Sequence, residues 1–101
     1  MISEIIEMPV VRINKNFSKD YEVILYNDDT TPFDFVTGVL MDVFKYSFDK
    51  ALLLTTNVHE KDRGYVGKYP KKLAESRVNK ALSMAEELGF NDFRIEAREE
   101  K

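Results

Sequence analysis

Tyr21-Glu22-Val23-Ile24-Leu25-Tyr26-Asn27-Asp28-Asp29-Thr30-Thr31-Pro32-Phe33-Asp34-Phe35-Val36 carries the chain from an apolar strand pattern, through a polar corner, into a helix. The β-branched and aromatic residues from Tyr21 to Asn27 predict a strand, with Val23 and Leu25 on one face and Ile24 and Tyr26 on the other. The helix announces itself at Thr31, a suitable N-cap, followed by Pro32 at the first helical position and by Asp34 in the capping-box spacing. Phe35, Val36, Val39, Leu40, Val43 and Phe44 then recur at intervals of three and four, the period of one helix face.

Outward from this stretch the chain alternates in the same way. Ser47 or Asp49 starts a second helix through about Glu60, and Gly64 and Gly67 bracket a short strand containing Tyr65, Val66 and Tyr69. Pro70 opens a third helix with the apolar stripe Leu73, Ala74, Val78, Ala81, Leu82, Ala85 and Leu88, and Gly89 suits its left-handed C-cap. Phe93-Arg94-Ile95-Glu96-Ala97 alternates as a strand with one wet face. The order β-α-α-β-α-β predicts an α+β domain, a three-stranded antiparallel sheet with three helices packed on one side. We expect residues 1–20 to form a mobile N-terminal arm, because Pro9 and Asn14-Lys15-Asn16 interrupt any helix. Residues 21–98 then form the core domain and residues 99–101 a charged tail.

Composition narrows the function classes. Of 101 residues, 44% are hydrophobic and 33% charged, as in soluble globular domains. The longest uncharged apolar run, Ala51-Leu52-Leu53-Leu54, is far short of the roughly 18 residues of a membrane span. Glu4 and Glu7 interrupt the start of the chain, against a signal-peptide pattern. A net charge of −3 disfavours broad phosphate neutralisation and hence nucleic-acid binding. Cysteine is absent, which excludes disulfides, thiolate nucleophiles and cysteine zinc sites and fits a cytoplasmic protein.

The polar corner and the lone histidine, His59, supply a particular chemistry. A free α-ammonium group brings three N–H donors and a charge, so it needs several acceptors and preferably a carboxylate. Asn27, Asp28, Asp29 and His59 form such a set, with Val36 and Val58 as adjoining apolar surface and Thr55 one helical turn from His59. The simpler reading is that Asn27, Asp28 and Asp29 make turn and capping bonds and that His59 is a surface residue near a helix end. Thr55-Thr56-Asn57 remain odd, being three poor helix formers in succession. Asp28, Asp29 and His59 could in principle hold a metal or act in acid–base chemistry. Adjacent aspartates on an extended chain point to opposite sides, however, and no phosphate loop, GxSxG or HExxH motif occurs, so we expect no metal, no cofactor and no enzymatic activity. Lys71, Lys72, Arg77 and Lys80 read as a solvated helix face or as a partner surface.

The segment Tyr21 to Val36, with Ala51, Val58-His59, Leu73-Ala74-Glu75 and Val78, resembles the ClpS adaptor family over about residues 20 to 97. The resemblance implies a monomeric, non-catalytic adaptor. It would bind the free N-terminus of N-degron substrate proteins with a bulky hydrophobic first residue and deliver them to the N-terminal domain of a ClpA- or ClpC-type AAA+ chaperone. By matching position, Asn27, Asp28 and His59 are implied to bind the substrate amino group. Asp29, Thr31, Phe33, Val36, Thr55 and Val58 are implied to form the hydrophobic pocket, with Phe93 completing it, and Lys72, Glu75 and Arg77 to face the unfoldase. Phe33 and Thr55 stand where familiar members often carry methionine, and Lys72 where an acidic residue is common. The rival reading is a non-proteolytic interaction module with a fold like that of ribosomal stalk domains.

Overall fold

Three successive buried residues, Val23, Ile24 and Leu25, mark β1 (Asp20–Tyr26) as a strand covered on both faces. In the computed structural model, which describes residues 20–100, β1 lies at the centre of a three-stranded sheet. Its neighbours are β2 (Arg63–Pro70) and β3 (Arg94–Glu99), both antiparallel to it. Between the strands run α1 (Phe33–Asp42), α2 (Phe48–Lys61) and α3 (Lys71–Glu87), giving the α+β order anticipated from the sequence. Val23, Leu25, Val66 and Ile95 from the strands meet Val39, Leu40, Ala51, Val58, Ala74 and Val78 from the helices in one core. The arm expected at the start of the chain lies, apart from Asp20, outside the described residues. Glu99, expected in the tail, is the last residue of β3.

The helix starts depart from the sequence reading in a way that matters for the corner. Phe33, not Pro32, is the first helical residue, and Pro32 sits at the N-cap with extended geometry and no side-chain cap. A residue before proline is biased away from helical backbone, so Thr31 stays outside the helix, and the Pro32 carbonyl accepts the amides of Phe35 and Val36. Ser47 does cap α2, accepting from the Lys50 amide at 3.3 Å. The left-handed Asp62, φ 75°, ends it at Lys61, one residue beyond the expected end. At the end of α3, Gly89 has φ +80°, with Phe90 N donating to Ala85 O and Gly89 N to Glu86 O, the paired bonds of a Schellman motif.

The apolar stripe of α3 is narrower than its periodicity suggested. Ala74, Val78, Ala81 and Ala85 are buried, whereas Leu73, Leu82 and Leu88 are exposed. Alanines at the contact bring the helix axis close to the sheet, so the flanking leucines fall outside the seam.

β2 is also longer than expected, because its glycines lie inside the strand instead of bracketing it. A Cβ on Gly64 would come within 2.6 Å of Val58 Cγ2 and 3.0 Å of Leu54 Cδ1, so the missing side chain lets β2 press against α2. Gly67 lies under the Tyr69 ring, whose hydroxyl is 2.8 Å from the Cβ that a larger residue would add. Between these glycines the register slips: Val23 faces Gly67 and Ile24 faces Tyr65, leaving Val66 as the extra residue of a bulge. The Val66 carbonyl accepts a hydrogen bond from the Tyr46 hydroxyl, which ties the bulge to the turn before α2.

Candidate functional site

The corner after β1 is held by one side chain. Asp28 Oδ1 accepts from the amides of Thr30 (2.9 Å) and Thr31 (2.7 Å) and from the Thr30 hydroxyl (3.3 Å). Asp28, and not Thr31, is therefore the residue that organises the loop, by an aspartate turn. Burial pushes its carboxyl up, but the Thr31 and Thr30 donors outweigh this and hold it below the ordinary carboxylate value, so it is ionised at neutral pH. The Thr31 hydroxyl is buried and makes no hydrogen bond of normal geometry, although its dipole still favours the Asp28 charge. Asn27 N donates to Asp62 O at 2.8 Å, and the single proton of the Thr30 hydroxyl is shared between Asp28 and the nearer Asp92 Oδ2 at 2.9 Å, which further fixes the corner.

Between this corner, the start of α1 and the last turns of α2 lies a cavity of about 210 Å³. Its lining is Tyr26, Asn27, Asp28, Asp29, Thr31, Phe33, Val36, Thr55, Val58 and His59. Pockets for drug-sized ligands run to roughly 300–1,000 Å³, so this one is scaled to a single side chain. One end is polar, with Asn27, Asp28, Asp29 and His59, and the remainder is largely apolar. Among the described residues, the Asn27 side-chain amide, the Asp28 Oδ2 atom and the His59 ring make no hydrogen bond within the protein. Asn27 and Asp28 are half-buried and His59 is exposed beside them, so acceptors left in this condition are ready to receive donors from a ligand.

The base of the cavity is set by a pair of buried threonines that join α1 to α2. Thr37 Oγ1 donates to Thr55 Oγ1 at 3.0 Å, and Thr55 Oγ1 donates to Ala51 O at 2.8 Å. With its hydroxyl engaged on the helix side, Thr55 offers its methyl group to the cavity. Thr56 likewise bonds back to Leu52 O at 2.9 Å, so the run of poor helix formers is accommodated by hydroxyl-to-carbonyl bonds one turn earlier. Thr56 and Asn57 do not line the cavity.

Three placements differ from the sequence reading. Phe93 does not line this cavity; it is buried edge-on against Phe35, with ring centroids 5.3 Å apart, in a cluster that also holds Phe90. Phe35 and Val36 are about 100° apart around α1, so the neighbour of one faces away from the cavity walled by the other. Conversely, Tyr26 lines the cavity and Thr37 supports its base, and neither was singled out. The signal for Tyr26 was its place as the last strand residue before the polar corner. For Thr37 it was a hydroxyl beside the apolar stripe of α1. Lys72 and Glu75 are exposed on α3, away from the lining of the cavity, and the Arg77 guanidinium lies 5.1 Å from the centroid of the Tyr69 ring.

Fold and cavity together define a small α+β binding protein with a pocket for one side chain and uncommitted acceptors at its polar end. The chain belongs to the ClpS family: the family model described as ATP-dependent Clp protease adaptor protein ClpS matches residues 16–94. It is 46% identical over 70 residues to the ATP-dependent Clp protease adapter protein ClpS of Wolinella succinogenes, covering 69% of each chain. It is 40% identical over 70 residues to the protein of the same name from Desulforapulum autotrophicum, covering 69% of this chain and 67% of that one. The solved structure of Agrobacterium tumefaciens ClpS2 bound to L-phenylalaninamide superposes with a TM-score of 0.77 at 33% identity, over 81% of this chain and 98% of that one.

Proposed function

We propose that this chain is a non-catalytic adaptor that binds the free N-terminus of proteins whose first residue is Leu, Phe, Tyr or Trp. It delivers them, as a cytoplasmic monomer, to a ClpA- or ClpC-type AAA+ unfoldase. The observation that carries this reading is the set of uncommitted acceptors on Asn27, Asp28 and His59 at the end of a cavity scaled to one side chain. In this reading the α-ammonium group donates to those acceptors and the first side chain fills the space between Asp29, Thr31, Phe33, Val36, Thr55 and Val58. Phenylalaninamide, the ligand of the similar ClpS2 structure, pairs a free amino group with one bulky side chain and supports the assignment by analogy. The α3 surface at exposed Lys72 and Glu75 and half-buried Arg77 is the proposed contact with the N-terminal domain of the unfoldase.

Hydrogen bonds to a charged group contribute about 1.5–3 kcal/mol each and a buried large apolar side chain about 1.5–3 kcal/mol. Two or three such bonds with that burial sum to roughly 5–12 kcal/mol, and association costs at least about 4 kcal/mol, so the expected affinity is micromolar, about −8 kcal/mol, at its tightest. That strength allows both capture and release. The test is fluorescence anisotropy with a peptide beginning in Leu or Phe and with its N-acetylated twin. Binding of the free peptide alone is expected, because acetylation replaces a charged three-donor group by an amide with one donor. Equal binding of both sinks the proposal.

A further inference from the structure

Tyr26 ends β1 with an arginine on each side. Arg63 is its partner on β2 and Arg94 its partner on β3, so the three residues form a row across the sheet. The guanidinium carbons lie 5.9 Å (Arg63) and 4.2 Å (Arg94) from the centroid of the Tyr26 ring. Both arginines are exposed, and neither forms an ion pair among the described residues. The Tyr26 hydroxyl donates to Glu96 Oε2 at 2.8 Å, while Glu22, further along the same face, pairs with Arg98 at 3.8 Å. The attraction of each guanidinium to the ring acts through its charge and not through its N–H groups, which stay available for a carboxylate.

The row stands beside the binding cavity, because Tyr26 is one of its lining residues and the next residue, Asn27, belongs to its polar end. Building on the function proposed above, a substrate whose amino group sits at Asn27, Asp28 and His59 must leave the cavity from that end. Each extended residue advances the chain by about 3.3 Å, so the second and third side chains emerge within reach of a long arginine stem. We propose that Arg63 and Arg94, held by Tyr26, form a second subsite that favours an acidic side chain at the second or third substrate residue. Asp29 at the cavity opposes this preference and Glu96 tempers it, so the sign of the measured charge preference is diagnostic.

The probes are peptides beginning Leu-Ala, Leu-Asp and Leu-Lys with identical remainders, titrated by anisotropy at about 50 mM salt, with acetylated Leu-Ala as control. The Asp peptide is expected to bind about three- to tenfold tighter than the Lys peptide, a range set by exposed ion pairs acting in attraction and repulsion. The ratio should shrink below about twofold at 0.5 M salt, where the screening length is only a few ångströms. In R63Q/R94Q, checked for native circular dichroism, the Asp-to-Lys ratio is expected to fall toward one. Amine-dependent binding of Leu-Ala with no charge preference, or with a preference for Lys, overturns the subsite alone. A ratio unchanged in R63Q/R94Q also overturns it. Failure of free Leu-Ala to bind, or equal binding of its acetylated form, overturns the function proposed above and the subsite with it. The wild-type charge series decides the matter even if the double variant misfolds.

Discussion

The cavity end of the molecule and the α3 surface both carry several polar side chains, but they use them differently. At the cavity, Asn27, Asp28 and His59 sit beside apolar walls with acceptor atoms left over. At the α3 surface the Lys71 ammonium lies 5.9 Å from the Tyr21 ring centroid and Arg77 lies over Tyr69, and on the strands Lys68 pairs with Glu100 at 3.0 Å. Exposed charges of this second kind are hydrated before and after any encounter and govern rate and partner choice more than strength. The largest expected effect therefore belongs to Asp28. Asp28→Ala removes the charged acceptor and the bracket of the corner together, and should weaken binding of a Leu-initiated peptide about 10- to 100-fold, the equivalent of one charged hydrogen bond. Lys71→Ala should change it less than about twofold. Similar losses in a parallel titration would erase the distinction between the two regions.

A second contrast lies between the two glycines of β2. Gly64 is pressed against Val58, a cavity wall, whereas Gly67 meets only the end of the flexible Tyr69 side chain. Gly64→Ala forces either Val58 into the cavity or β2 away from α2, and overpacking of this kind costs about 1–3 kcal/mol. Urea unfolding should show that loss, and peptide affinity should fall with it. Gly67→Ala should cost less, since the tyrosine ring can tilt. A Gly64→Ala protein with wild-type stability and affinity would show that the close approach of β2 does not shape the cavity.

The sequence was most legible where one chemical cause acts alone. Apolar patterns, together with cap and turn residues, placed all six elements, and Gly89 marked the left-handed stop after α3 because glycine takes that backbone without strain. It was less legible where two causes compete at one residue. Thr31 has the chemistry of a cap, but the following proline keeps it out of the helix and Asp28 takes its amide, so it becomes a cavity wall. Gly64 and Gly67 read as strand breakers, yet close packing keeps them within β2. Phe93 could not be placed, because its partner is Phe35, far away in sequence, and only the third dimension shows which side of α1 it meets.

Thr55 separates what its hydroxyl does from what its methyl does. Thr55→Val keeps the shape and removes the bonds to Ala51 and Thr37. Thr37 keeps the Phe33 carbonyl as an alternative acceptor at 3.2 Å, so the expected loss is about 1 kcal/mol of stability, that of an ordinary hydrogen bond. Affinity for Phe- and Leu-initiated peptides should stay within about twofold, since the cavity meets the methyl in either case. A tenfold change would mean that the hydroxyl, not the methyl, touches the ligand.

The smallest effect, and the one that isolates the corner from the ligand, is its response to acid. Asp28 has a pKa below its unfolded value of about 3.9, so its contribution to stability is fully present above that value and disappears as pH falls through the lower folded pKa. Because the carboxylate is partly solvated, the change in global stability should be slight. The amide resonances of Thr30 and Thr31, both bonded to Asp28 Oδ1, report it directly. They should titrate together with a midpoint below about 3.9 in the wild type and lose that transition in Asp28→Asn. A midpoint above the ordinary carboxylate range would show that burial, not the threonine donors, governs Asp28. The corner would then be poised to lose its charge, and not to hold it, when a cationic ligand arrives.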